Sequence, residues 1–78
     1  MAHPDPKAIL ARNLRRLRTR TGLSQEELAA RAELHRTYVS SVERGQRNVS
    51  LENIFALARA LGCQPRDLVD LDAGDGDR

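Results

Sequence analysis

A chain of 78 residues, 40% hydrophobic but with one Tyr, one Phe and no Trp, allows a single small domain whose core is aliphatic. Its lone cysteine, Cys63, excludes an internal disulfide framework, and no apolar run approaches the length needed to cross a bilayer. The net charge of +2 conceals a division: residues 1–66 carry 12 Lys and Arg against 6 Asp and Glu, whereas residues 67–78 carry one Arg against five Asp.

Residues 1–6, with two prolines and Asp5, read as a disordered lead-in, and MAHPDPKAIL has no signal-peptide core, so a cytoplasmic protein is expected. From Lys7, the apolar Leu10, Leu14 and Leu17 recur at the spacing of an amphipathic helix, which Gly22 should end. Six basic residues and no acid lie between Lys7 and Arg20. Such a cluster points to a polyanion partner or to a solvated helix face; Arg15 and Arg16 are expected to be solvated.

Ser24 followed three residues later by Glu27 forms a capping box, so a second helix starts there, runs to about Ala32 and buries Leu28, Ala29 and Ala32. A third follows within a few residues and ends at Gly45. Ser50 caps a fourth, Leu51 to Leu61, stopped by Gly62. Pro65 opens a short fifth, PRDLVDL, with Asp67 in its first turn complementing the helix dipole. Residues 72–78, DAGDGDR, read as a disordered acidic tail. The fold expected is all-α: a compact five-helix bundle with its domain over 7–71.

Helices at 24–32 and about 36–44, separated by a tight turn, have the spacing of a helix-turn-helix. On the second, Val39, Val42 and part of Tyr38 form the inward set. Arg36, Thr37, Ser40, Ser41 and Arg44 form the outward set, polar, short-chained and basic, as suits a surface of donors and acceptors. In the DNA major groove, Arg reads guanine bidentately and Ser or Thr bonds several base edges.

The run LSQEELAARAELHRTYVSSVERGQRNVSLENIFALARALG closely resembles the Cro/phage-repressor helix-turn-helix domain, the lambda-repressor-like XRE family, over about residues 7–71. The parts that carry the likeness are Ser24-Gln25 with Leu28-Ala29, the Val39-Ser40-x-Val42-Glu43-x-Gly45 run and the Leu57-Ala58-x-x-Leu61 run. Within that family RTYVSSVERGQRNVSLENI looks most like the controller proteins of restriction–modification systems, small dimeric regulators. The resemblance implies a transcriptional regulator bound to double-stranded DNA. It also implies that Gln25 clamps a phosphate, that Arg36, Thr37, Ser40 and Ser41 read bases, and that Tyr38, Arg44, Arg47 and Asn48 contact phosphates. Arg18 and Glu43 stand where the family places a partly buried ion pair. His35 departs from the pattern, which usually has a small polar N-cap there.

Several readings stay open. Tyr38 can pack against Leu34, contact phosphate, or do both. Leu51 and Phe55 make a second apolar stripe beside the core stripe of Ile54, Leu57, Ala58 and Leu61. With Leu68, Val69 and Leu71 they suggest a two-fold dimer, against a wider core in a monomer. An antitoxin-like adaptor whose main partner is a protein is the alternative function, and a bundle using the motif only as scaffold is a third. Paired carboxylates, a Ser/His/Asp set and metal-ligand spacing are all missing, so no enzyme, metal, cofactor or small-molecule ligand is expected.

Overall fold

Each helix begins and ends where a local backbone need is met. The computed structural model of the chain describes residues 4–71, which form α1 (Pro6–Thr21), α2 (Gln25–Ala32), α3 (Arg36–Glu43), α4 (Leu51–Leu61) and α5 (Pro65–Val69), with no strand among the described residues. Residues 1–3 and the acidic stretch 72–78 lie outside them.

The lead-in is shorter than expected. Asp5 accepts a hydrogen bond from the Lys7 amide at 3.0 Å and caps α1, with Pro6 as its first residue. The Ser24–Glu27 capping box closes at 3.0 and 2.8 Å. Ser50 caps α4 through the Asn53 amide at 3.1 Å. His35 gives α3 no side-chain cap, so the departure noted in the sequence is a real gap in first-turn satisfaction. Gly22 and Gly62 end α1 and α4 at φ of 78° and 72°, a region open to glycine without a Cβ penalty. Glu33 ends α2 at φ 59° and bears that penalty. The fifth helix stops at Val69, two residues before the expected Leu71.

Helix α1 packs against α3, α4 and α5, and α2 packs against α3 and α4. The core joins Leu14, Leu28, Val39, Val42, Leu57 and Leu68, each essentially inaccessible to solvent. Truncating any of the leucines to Ala should cost about 2–5 kcal/mol.

Leu68 is a correction. The sequence pattern puts it on a dimer face, but its exposure is 0%, because α5 is short and the core takes its one central side chain. Leu51, Phe55, Val69 and Leu71 stay exposed, at 66%, 46%, 51% and 54%. The described residues contain no helix long and apolar enough to cross a membrane.

Buried Asn13 ties α5 to α1. Its side-chain amide donates to the carbonyls of Leu68 and Asp70, both at 2.9 Å. Arg12 Nη2 adds bonds to the carbonyls of Asp70 and Leu71 at 3.1 and 2.9 Å. The Leu68 carbonyl is one that the end of α5 leaves without an intrahelical partner, and the other two belong to the residues just past the helix.

Candidate nucleic-acid interface

Between Leu34 and Leu51 the sequence has one acid, Glu43, against Arg36, Arg44 and Arg47. The fold turns that acid inward. Glu43 is 3% exposed, and its carboxylate accepts from Arg18 Nε at 2.6 Å, Arg18 Nη2 at 3.0 Å and Gln25 Nε2 at 3.0 Å. The bidentate fork fixes direction as well as distance. Arg18 Nη1 also donates to the Leu23 carbonyl at 2.9 Å, so a single guanidinium joins α1, the turn before α2 and the end of α3. Its pKa is raised by the hydrogen bond and charge of Glu43, against the opposing effect of burial.

Arg15 is exposed, as its sequence position suggests, and it also donates through Nη2 to the Glu43 carbonyl at 2.6 Å. A cation at that carbonyl also complements the negative end of the α3 dipole. Together Arg15 and Arg18 clamp α3 against α1.

With Glu43 withdrawn, α3 offers a face of basic and short polar groups. Arg36 and Thr37 are exposed at its first turn, and Ser40 is half-buried one turn on. Ser41 is a second correction. It is 8% exposed, and its hydroxyl donates to the Thr37 carbonyl at 2.9 Å, back within its own helix. One residue along a helix is a rotation of about 100°, which carries Ser41 to the core side beside Val42.

Arg44 follows α3. Its Nη1 donates to the Ser40 hydroxyl and its Nε to Gln46 Oε1 at 3.3 Å. Arg47 and Asn48 are exposed in the loop before α4, and the Arg47 guanidinium lies 5.2 Å from the Tyr38 ring centroid. Tyr38 is half-buried against the core, and its hydroxyl accepts from Asn53 Nδ2 at 3.1 Å. Packing and a polar tip thus coexist in Tyr38, and the ring braces the loop through Arg47.

Gln25 is partly buried and spends its side-chain amide on Glu43. The structure therefore brings Arg18, Gln25 and Glu43 together beneath the face. Arg36, Thr37, Ser40, Arg44, Arg47 and Asn48 lie along it. The bonds of Arg12, Asn13 and Arg15 to backbone carbonyls have no signal in the sequence pattern.

Cys63 is a half-buried free thiol whose pKa is raised, first by burial and then by Asp67. The described residues hold no group of His, Cys, Asp and Glu suited to a metal ion.

This geometry is a helix-turn-helix: α2 braced across α3, with α3 fixed from behind and one polar edge presented outward. A helix-turn-helix family model matches residues 14–68, and the chain belongs to that family, whose members are DNA-binding transcriptional regulators rather than enzymes. More narrowly, it is similar to Control protein C.BamHI of Bacillus amyloliquefaciens, 48% identical over 65 residues that cover 82% of this chain and 80% of the relative. Among solved structures it resembles the restriction–modification controller protein C.AhdI of Aeromonas hydrophila, at TM-score 0.78 and 56% identity over 80% of this chain and 94% of that one. The hypothetical transcription factor NHTF from Neisseria matches at TM-score 0.81 and 46% identity, covering 88% of this chain and 83% of the other.

Proposed function

We propose that this chain is a controller-type regulator that acts as a homodimer on a two-fold-symmetric DNA operator within the bacterial nucleoid. One observation carries the reading. Of the charged groups on and beside α3, the acid is buried and paired, while Arg36, Arg44 and Arg47 remain on the exposed face. A surface so arranged favours phosphate and guanine over any cationic partner.

Arg36, Thr37 and Ser40 read base edges in the major groove. Arg44, Arg47 and Asn48, with the Tyr38 tip, hold the phosphate backbone and set register. Gln25 acts chiefly by positioning Glu43, with phosphate contact left to whichever of its donor hydrogens faces outward. The exposed Leu51, Phe55, Val69 and Leu71 support a second copy of the chain as the dimer partner. Two copies related by a two-fold axis place their α3 helices in major grooves one helical turn apart, about 34–36 Å.

Selection of bound duplexes from random sequence tests this. The expected product is a pseudo-palindrome with half-sites about 10–10.5 base pairs apart, bound more weakly as salt rises. Recovery of sequences without common bases would overturn the reading.

A further inference from the structure

We infer that the acidic stretch 72–77, DAGDGD, of this chain docks in an arginine-rimmed groove on the outer face of α1 and there competes with DNA phosphate for Arg44. The competition rests on the DNA-binding reading above; the docking does not.

The groove has a volume of about 760 Å³ and lies between α1 and the turn that follows α3. Ala8 and Ala11 line it, and Arg12, Arg15, Arg20 and Arg44 surround it. The hydrogen bonds of Arg12 and Arg15 described above go to backbone carbonyls, which are neutral, so those bonds do not cancel either charge. Of the two acids at the groove, Glu43 pairs with Arg18, whereas Asp5 caps α1 through a neutral amide and keeps its charge, one acid against the four arginines. The groove has a largely apolar wall rimmed by arginines, and fits an anionic segment that carries small side chains beside its acids.

Three observations favour this chain's own acids as the occupant. The first is charge: residues 72–77 hold three Asp and no base. The second is position. Arg12, a groove residue, holds the Leu71 carbonyl at 2.9 Å, so the chain leaves the described body at the groove's edge. The third is reach. Arg12 and Arg20 are separated by about 12 Å along α1, and six extended residues span up to about 20 Å. Arg15, between them, already touches the end of α3, next to Arg44.

Exposed carboxylate–guanidinium pairs are individually weak, but a tether this short gives an effective concentration in the millimolar range. Gly74 and Gly76 place no side chain between the successive acids. Carboxylates seated at Arg44 occupy the charge that a phosphate would need. The tail therefore raises the threshold for non-specific DNA more than for an operator, which adds base contacts.

The test compares amide spectra of the full chain with those of the Asp72→Asn, Asp75→Asn, Asp77→Asn triple variant, without DNA. At about 0.05 M salt, shift differences should appear at Ala8, Ala11, Arg12, Arg15 and Thr19, and they should collapse by about 0.5 M, where screening is short-ranged. Differences confined to residues 70–78 would overturn the docking. So would differences that grow with protein concentration, because these place the tail on a second copy. The second arm measures affinity for a random duplex at low salt. The triple variant should bind several-fold tighter, with the gap narrowing as salt rises. Docking with equal affinities overturns the competition. Docking in a chain that binds no duplex leaves the tail site standing and removes the DNA reading.

Discussion

Removing one member of the Arg18–Glu43 pair should destabilise the domain more than any surface substitution, and the two single changes should not cost the same. The two residues share two charged hydrogen bonds, at 2.6 and 3.0 Å, each worth about 1.5–3 kcal/mol. Some of that is lost to screening at Arg18, whose side chain is 18% exposed against 3% for Glu43. Arg18→Ala strands the deeper charge with only Gln25 for a partner and should cost about 3–5 kcal/mol. Glu43→Ala leaves a guanidinium that still reaches the Leu23 carbonyl and partly meets water, so its cost should fall nearer 2–3 kcal/mol. The double change Arg18→Met, Glu43→Leu should lie within about 1–2 kcal/mol of the parent, because it removes both desolvated charges at once.

Total stability for a domain this size is only about 4–10 kcal/mol, so Arg18→Ala should approach the folding threshold at 37 °C. Urea unfolding followed by circular dichroism measures all three, provided the slope with denaturant stays constant. Single substitutions costing under about 1 kcal/mol, or a double variant worse than both singles, would refute the picture of a desolvated pair holding α3 on α1.

Three further outcomes are expected. His35→Asp supplies α3 with the cap it lacks and should add about 1 kcal/mol, raising Tm by about 4–8 °C in thermal melts; an unchanged Tm would mean that its first-turn amides are satisfied in another way. Phe55→Asp puts a charge in the exposed apolar stripe and should give monomers by sedimentation, whereas an unaltered dimer would move the interface elsewhere. The Glu27 carboxyl is held below its ordinary pKa by the Ser24 backbone amide and then the Ser24 side chain. Its contribution to stability is therefore present above the unfolded value, about 4, and is lost as pH falls through the lower folded value. The stability gap between the parent and Glu27→Gln should be present at neutral pH and vanish in acid; a gap independent of pH would rule out this titration.

The local features of the fold were legible because short-range rules decide them. Ser24 with Glu27, Ser50, Gly22 and Gly62 set boundaries through groups within a few residues of one another, and those boundaries agree with the structure. Asp5 obeys the same rule but stands between two prolines, whose composition reads as a lead-in rather than a cap. Ser41 and Leu68 differ from the pattern for another reason. Both sit at the margin of an apolar stripe on a short helix, where the pattern does not say which margin the rest of the molecule covers.

The bonds of Asn13, Arg12 and Arg15 to distant carbonyls could not be read at all. Their acceptors are backbone carbonyls separated from them by 28 to 59 residues, and every residue type supplies the same carbonyl. Arg18 and Glu43 stood out only because the family resemblance pointed to them. A buried acid in a basic segment was the physical signal available.

The central claim is that the exposed edge of α3, beginning at Arg36, distinguishes one base sequence from another. The most direct measurement is the Kd of the parent and of Arg36→Ala for a selected duplex and for an unrelated duplex at the same salt. The account predicts a loss of about 1–3 kcal/mol per half-site on the selected duplex, with little change on the unrelated one. Equal losses on both would contradict it, leaving Arg36 as a phosphate contact and the reading of sequence to other residues.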